Sequence, residues 1–205
     1  AHNAQTFPPV TIPPFIISTS PLPDLPHGTI LIHIHSMMGF GSGEHATTQG
    51  CLKALATFED SPPRSLLDMG CGSGVLSIAA TKLFHCPVIA VDVDPLSIQA
   101  THENLRTNAC GTAIKVRLGD GYNALKKSET FDMITCNIFA GPVCAMAPSL
   151  ARHLNHGGYG IVSGLLNSQE SDVVNAHVAQ GLVHKDTYDI GGWSTLVFHK
   201  AFYKE

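Results

Sequence analysis

Long hydrophobic runs are missing from this chain. No stretch approaches the ~18 apolar residues of a membrane-spanning helix, and the start shows no charged region followed by an apolar one. Neither a membrane partner nor a secretory signal is therefore expected. Clustered basic charge is missing too. The 205 residues carry 12 Lys and Arg against 16 Asp and Glu, a formal charge of −4 with no basic block. Sequence-independent nucleic-acid binding rests on such clusters, so a direct nucleic-acid partner is disfavoured. The six cysteines, at 51, 71, 86, 110, 136 and 144, form no C-x-x-C pair, which predicts reduced thiols in the cytoplasm rather than a disulfide framework. Histidines number twelve, yet no H-E-x-x-H or comparable ligand set occurs. His33 and His35 alternate on one face of Ile30–His35, but two ligands without a third make a weak metal site, so no metal is expected.

What the chain does have is a continuous unit from Leu66 to Asp94. Leu66-Leu67-Asp68-Met69 reads as a strand, Gly70-Cys71-Gly72-Ser73-Gly74 as a glycine-rich turn, the next apolar run as a helix, and Val88-Ile89-Ala90-Val91-Asp92 as a second strand. Such a unit needs a parallel sheet, because the helix carries the chain back before the next strand begins. Ligands of these folds sit at the carboxyl ends of the strands, where both the glycines and Asp92 fall. The glycine spacing completes no G-x-G-x-x-G/A dinucleotide fingerprint: Val75 and Ser77 occupy the positions a third glycine or alanine would need. Gly70-x-Gly72-x-Gly74 instead lets backbone pass flush against a bulky ligand, while the Asp92 carboxylate can accept two hydrogen bonds from a ribose diol. A nucleoside without a pyrophosphate fits, and S-adenosyl-L-methionine is the ligand indicated. The plainer alternative is a tight structural turn beside a solvated acid.

With 44% apolar content, the chain can bury a sizeable core, as one domain. Residues 1–28 read as a Pro-rich linker packed on the domain, and 29–205 as the domain itself. Seven of the thirteen prolines lie within residues 1–26, which predicts an extended segment outside any sheet interior, burying Phe7, Phe15, Ile16 and Ile17. After a strand at about 29–35, Met38-Gly39-Phe40-Gly41-Ser42-Gly43 forms a second glycine-rich turn ahead of a helix with Leu52, Leu55 and Phe58 on its buried side. One reading makes Thr47 or Thr48 the cap of that helix. Equally open is a flap, with Phe40 packing on the ligand and Thr48 bonding its polar end. Val75, Ile78, Ala79 and Leu83 mark the buried side of the next helix. Asp94-Pro95 is an N-cap and preformed first turn for a helix to about Asn108. Lys115 to Leu118 is a strand ending in Gly119-Asp120-Gly121, either a plain turn or a place where Asp120 reaches an adenine amino group. Phe131 to Asn137 is an apolar strand. Pro142 starts a helix burying Val143, Met146, Ala147, Leu150 and Leu154, and Gly157-Gly158 stop it. Tyr159 to Ser163 is the fifth strand. Asn167-x-x-Glu170 resembles a capping box for a helix burying Val173, Val174 and Val178. Leu182–Tyr188 and Trp193–His199 close the chain as a hairpin. The expected fold class is α/β, a Rossmann-like doubly wound sheet, mostly parallel, with an antiparallel C-terminal edge.

Four of these stretches together resemble the PrmA family, the methyltransferases that modify lysines and the N-terminal amine of a large-subunit ribosomal protein. Phe40 to Thr48 is similar to that family's F-G-T-G-x-H-x-T-T, Ser42 standing where threonine is usual. Asp68 to Gly74 matches D-x-G-x-G-S-G, Asp92 to Pro95 matches D-I-D-P, and Asn137 to Ala140 matches N-I/L-x-A. The resemblance implies a class I methyltransferase fold, S-adenosyl-L-methionine as cofactor, S-adenosyl-L-homocysteine as product, and a protein substrate, expected to be a ribosomal protein. It carries the cofactor contacts onto Thr48, Gly70, Asp92 and Asn137, within motifs that also supply Phe40, Gly41, Asp68, Gly72 and Gly74. The family's small N-terminal recognition domain has no counterpart in the sequence, so the chemistry is supported more strongly than the substrate. The chain is expected to act as a monomer.

At the reacting end, a free lysine with a pKa of ~10.4 is neutral about once in a thousand molecules at pH 7.4, a deficit of roughly 4 kcal/mol. A site for amine methylation should therefore avoid stabilising the ammonium. Asn137 suits this, since its neutral amide oxygen can orient an N–H where a carboxylate would hold the charged form. The Ile138 carbonyl is a possible second acceptor, and Phe139 with Phe40 would wall the methyl passage. An asparagine that merely ends a strand and caps the next helix is the simpler alternative. Competing functions are a small-molecule N-methyltransferase on the same scaffold and a non-catalytic nucleoside-binding module. A nucleic-acid base methyltransferase is disfavoured by the charge and by the absence of N-P-P-Y prolines after Asn137.

Overall fold

The computed structural model describes residues 8–22, 24–35 and 45–202. Its first elements are three short strands, β1 (Val10–Ile12), β2 (Phe15–Ser18) and β3 (Ile30–His33), in a small sheet ordered β1-β2-β3. Here the expectation for the proline-rich segment fails, because β2 is the middle strand, antiparallel to β1 and parallel to β3. Its prolines fall outside the strands: Pro8 and Pro9 precede β1, and Pro13 and Pro14 make the turn between β1 and β2. No ladder donor is lost where the residues pair. Alternation does the rest, burying Phe15 and Ile17 in the main core while Ile16 faces the other way. Phe7 lies outside the described residues.

The main domain then runs α1 (Ala46–Ala56), β4 (Leu66–Met69), α2 (Val75–Phe84), β5 (Val88–Asp92), α3 (Pro95–Thr107), β6 (Ile114–Leu118), β7 (Phe131–Asn137), α4 (Ala140–His153), β8 (Leu154–Leu166), α5 (Glu170–Val178), β9 (Leu182–Ile190) and β10 (Trp193–Lys200). The seven strands are ordered β6-β5-β4-β7-β8-β10-β9. The first five are parallel, and β10 inserts antiparallel between β8 and β9. This is the expected doubly wound sheet with its antiparallel edge. Strand order reverses between β4 and β7, the switch point at which such sheets open a crevice.

Each face of the sheet is covered. Leu66 joins a core with α1, α2 and the small sheet, whereas Leu67 and Met69 join the core under α4 and α5. With a period of two, Asp68 therefore points at α2 and away from α4. Several expected boundaries shift. His45, rather than either threonine, caps α1, its Nδ1 accepting from Thr47 N at 3.3 Å. Helix α4 ends at His153, four residues before Gly157. Lys200 Nζ donates to the carbonyls of Ala151 and Leu154 at 2.7 Å each, a cation on the helix's last carbonyls. Gly157 and Gly158 belong to β8, where the register moves from Phe131↔Leu154 to Met133↔Tyr159, two residues of one strand facing five of the other. Gly157 takes φ +81° in that bulge, and a Cβ on Gly158 would press on the Asp132 carbonyl.

The expected capping box at Asn167 and Glu170 is also replaced. Gln169 Oε1 accepts from Leu166 N at 2.9 Å, while Asn167 and Glu170 both accept from Ser194 Oγ in the hairpin. Val178 lies exposed instead of buried.

Candidate active site

At the carboxyl edge of the sheet, Gly70 N and Cys71 N both donate to Val91 O, at 2.8 and 3.0 Å, which folds the turn after β4 against the end of β5. Gly70, Gly72 and Gly74 have φ values of +74°, +55° and +79°, a region that disfavours any Cβ. Their missing side chains do not all face a ligand. A Cβ on Gly70 would collide with Ile138 Cγ2, and one on Gly74 would press on Thr101 at 3.0 Å. The glycines are thus required by the bend and by internal packing. Of the three, Gly70 lines the cleft beside it.

Asp92 closes β5. Its Oδ2 accepts from Gly72 N at 2.8 Å and its Oδ1 from Asp94 N at 2.9 Å. Each oxygen keeps a further lone pair, so the carboxylate can shape the glycine bend and still receive hydroxyls. Asp94 caps α3 as expected, accepting from Leu96 N and Ser97 N. Asp120 stands exposed at the rim with no side-chain bond to the 3-10 turn it precedes.

Asp68 occupies a different place from the one its motif assigned. It is 1% exposed, and its oxygens accept from Ser77 N at 3.1 Å, Ser77 Oγ at 2.6 Å and Thr135 Oγ1 at 2.8 Å. Burial pushes its pKa up, opposed by those three donors. With both oxygens spent under the sheet, it braces the first turn of α2 and does not face the cleft.

The cleft has a volume of about 460 Å³ and is lined by Met69, Gly70 and Asp92 on one side and Asp120, Ile138 and Met146 on another. That is within the usual ~300–1,000 Å³ of small-molecule sites, and its walls are mostly apolar. Beyond Ile138 lies the second group of expected residues. Asn137 ends β7, and its Nδ2 donates to Thr48 Oγ1 of α1 at 3.4 Å. Its Oδ1 is buried and has no hydrogen-bond partner among the described residues. Ile138 spends its side chain under Gly70, and its carbonyl abuts Gly164, where any Cβ would collide with it. Phe139 is 67% exposed at the N-cap of α4. Phe40 and Gly41 lie outside the described residues.

All six cysteines are free, and burial raises the pKa of Cys51, Cys71 and Cys136, that of Cys136 to about 12, so they stay protonated at neutral pH.

Two residues that the sequence reading passed over hold the glycine bend from outside. Thr101 Oγ1 donates to Gly72 O and Asn104 Nδ2 to Ser73 O, both at 2.8 Å. Ser97, Thr101, Asn104 and Asn108 recur along this face of α3 at spacings of four, three and four, a buried polar stripe that its sequence alone does not distinguish from a solvated one. Pro142 and Met146 of α4, and Val93 after β5, complete the cleft.

Comparison with known proteins agrees with this architecture. A protein named ribosomal protein L11 methyltransferase from Rhizobium leguminosarum bv. trifolii is 42% identical over 176 residues, covering 84% of this chain and 60% of that protein. One of the same name from Brucella abortus (strain S19) is 36% identical over 196 residues, covering 94% of this chain and 69% of that protein. The chain thus spans about three-fifths of the length of the first of these curated relatives, 60% in the Rhizobium case. Among solved structures, the ribosomal protein L11 methylase of Lactobacillus delbrueckii subsp. bulgaricus superposes with a TM-score of 0.86 at 24% identity, covering 97% of this chain and 100% of that one. A T. thermophilus 16S rRNA N2 G1207 methyltransferase, solved in complex with AdoMet and guanosine, reaches 0.64 at 21% identity, covering 79% of this chain and 45% of that one. Both show the fold. The sequence model of the ribosomal protein L11 methyltransferase (PrmA) family matches residues 1–201, and the chain belongs to that family.

Proposed function

We propose that this chain catalyses methyl transfer from S-adenosyl-L-methionine to a lysine or α-amino group of a protein, with a ribosomal protein as substrate, acting as a monomer in the cytoplasm. The observation that carries the reading is the Asn137 amide oxygen, buried and without a donor among the described residues, on the residue before Ile138, which lines the cleft with Gly70 and Asp92. Leaving such an acceptor unmatched costs about 1–3 kcal/mol, so the site favours a ligand that brings an N–H.

The residues present suit the cofactor. Asp92, already fixed by two backbone donors, would hold the ribose hydroxyls; Asp120 would receive the adenine amino group; Gly70 and Ile138 would pack along the sulfonium arm. When bound, S-adenosyl-L-methionine supplies an electrophilic methyl group on a positively charged sulfur. The protein's share of the work is positional. Thr48 accepts from Asn137 Nδ2 at 3.4 Å, which leaves Oδ1 as the amide atom without a partner among the described residues. A neutral acceptor there orients an amine N–H without raising the amine's pKa, as a carboxylate would. Phe139, exposed at the start of α4, offers an apolar surface to the alkyl stem of a lysine.

The test is incubation of the chain with methyl-labelled cofactor and purified ribosomal protein L11, followed by mass spectrometry of the product. Label on lysine ε-amines or the N-terminal amine is the expected result. Label restricted to small amines, or none on any amine while the cofactor binds, contradicts the protein-directed reading.

A further inference from the structure

The buried polar stripe of α3 does more than fill space. Asn104, 1% exposed, is bonded in two directions through one amide: Nδ2 donates to Ser73 O of the glycine bend, and Oδ1 accepts from His35 N, just past the end of β3, at 2.8 Å. The same bend is held two peptide groups earlier by Asp92, whose Oδ2 accepts from Gly72 N. Thr101 fastens the Gly72 carbonyl, but its side chain makes no hydrogen bond to β3 among the described residues. Asn108 has the opposite allegiance. Its Oδ1 accepts from His33 N at 3.0 Å and its Nδ2 donates to His33 O, without a bond to the bend. Along this face of α3, one residue serves the bend, one serves the last residue of β3, and Asn104 alone of the three joins the bend to the chain just past β3.

Fixing the bend against a ligand through Asp92 therefore fixes Ser73 O, the acceptor that orients the Asn104 amide, and hence the Oδ1 that receives His35 N. We propose that Asn104 is a positioning residue that couples occupancy of the nucleoside cleft to the backbone at His35, where the chain leaves β3. This rests on the nucleoside reading of the cleft given above.

Amide hydrogen exchange at His35, with and without S-adenosylhomocysteine, reads the coupling directly. In the wild-type chain the ligand should slow exchange at the His35 amide about tenfold, because the acceptor of that amide is held more firmly. In Asn104→Ala the ligand dependence at His35 should vanish and affinity for the ligand should fall about tenfold, the equivalent of one lost hydrogen bond of roughly 1.4 kcal/mol. Asn108→Ala should loosen His33 yet keep the ligand-dependent slowing at His35. If Asn104→Ala does not fold, Asn104→Asp keeps an acceptor for His35 N while losing the donor to Ser73, and should likewise abolish the ligand dependence. A wild-type chain that binds the nucleoside with unchanged exchange at His35 overturns the coupling alone, as does equal loss of the effect in Asn108→Ala. A wild-type chain that binds no nucleoside overturns the reading of the cleft, and this inference with it.

Discussion

An amide oxygen that is buried and lacks a donor is a cost that folding would ordinarily remove by turning the side chain outward. In Asn137 the other end of the amide is engaged inward instead, Nδ2 donating to Thr48 Oγ1, itself fully buried on α1. Replacing Asn137 by Ala should lower turnover about a hundredfold, the usual penalty for a mispositioned reactant, with the cofactor KM changed by less than about threefold; steady-state kinetics on the labelled-transfer assay separates the two. Asn137→Asp tests the charge logic. A carboxylate beside the amine stabilises the ammonium, so the pH–rate profile of residual transfer should move to higher pH. Asp68 shows the limit of reading a motif residue by residue. Its position in D-x-G-x-G-S-G was legible, but strand alternation turns it away from the cleft and into three donors of Ser77 and Thr135. Asp68→Asn would set an N–H₂ against donors and should cost about 1–3 kcal/mol of folding stability, measured by urea titration. Loss of nucleoside binding without loss of stability would instead mean that Asp68 contacts the ligand.

Among the elements, those defined by local chemistry could be read from the sequence, and those defined by distant partners could not. The β4–turn–α2–β5 unit, the Asp94-Pro95 start of α3 and the β9–β10 hairpin depend on glycine, capping and alternation within a few residues. The end of α4 depends on Lys200, nearly fifty residues away, and β2 becomes a central strand only because β3 arrives beside it. The connection from β6 to β7 is another long-range case. Arg117 Nη1 and Nη2 donate to the two oxygens of Glu129 at 2.8 and 2.7 Å, and Arg117 also reaches the Ala124 carbonyl, which secures the turn that carries Asp120 and Gly121 to the cleft. Hydrogen bonds from Arg117 hold the Glu129 carboxyl down at about 2. Because that lies below the ordinary glutamate value of ~4.3, the stabilisation is fully present above the ordinary value and is lost as pH falls through about 2. Glu129→Gln should therefore lower Tm by roughly 2–4 °C at pH 7, as expected for a partly exposed bidentate pair. That gap should close as the pH of the melting buffer is brought toward 2; a gap constant with pH would contradict the ion-pair account.

For the molecule as a whole, the strand order puts the β4 and β7 ends on either side of the switch point, and everything proposed for the chemistry hangs from those two ends. β4 brings Gly70, with Asp92 alongside from β5; β7 brings Asn137 and Ile138. Topology of this kind follows from alternating strand and helix signals, which is why the fold is legible in the sequence. The polar face of α3 is not, since a stripe of Ser, Thr and Asn reads as solvated until the glycine bend and β3 are seen packed on it. Calorimetric titration of S-adenosylhomocysteine into the wild-type chain and Asp92→Ala tests the central claim most directly. The cleft at the sheet's carboxyl edge should bind the nucleoside, and the substitution should weaken binding by roughly 1.5–3 kcal/mol. No heat of binding with the folded wild-type chain, or equal affinity in both, would contradict it.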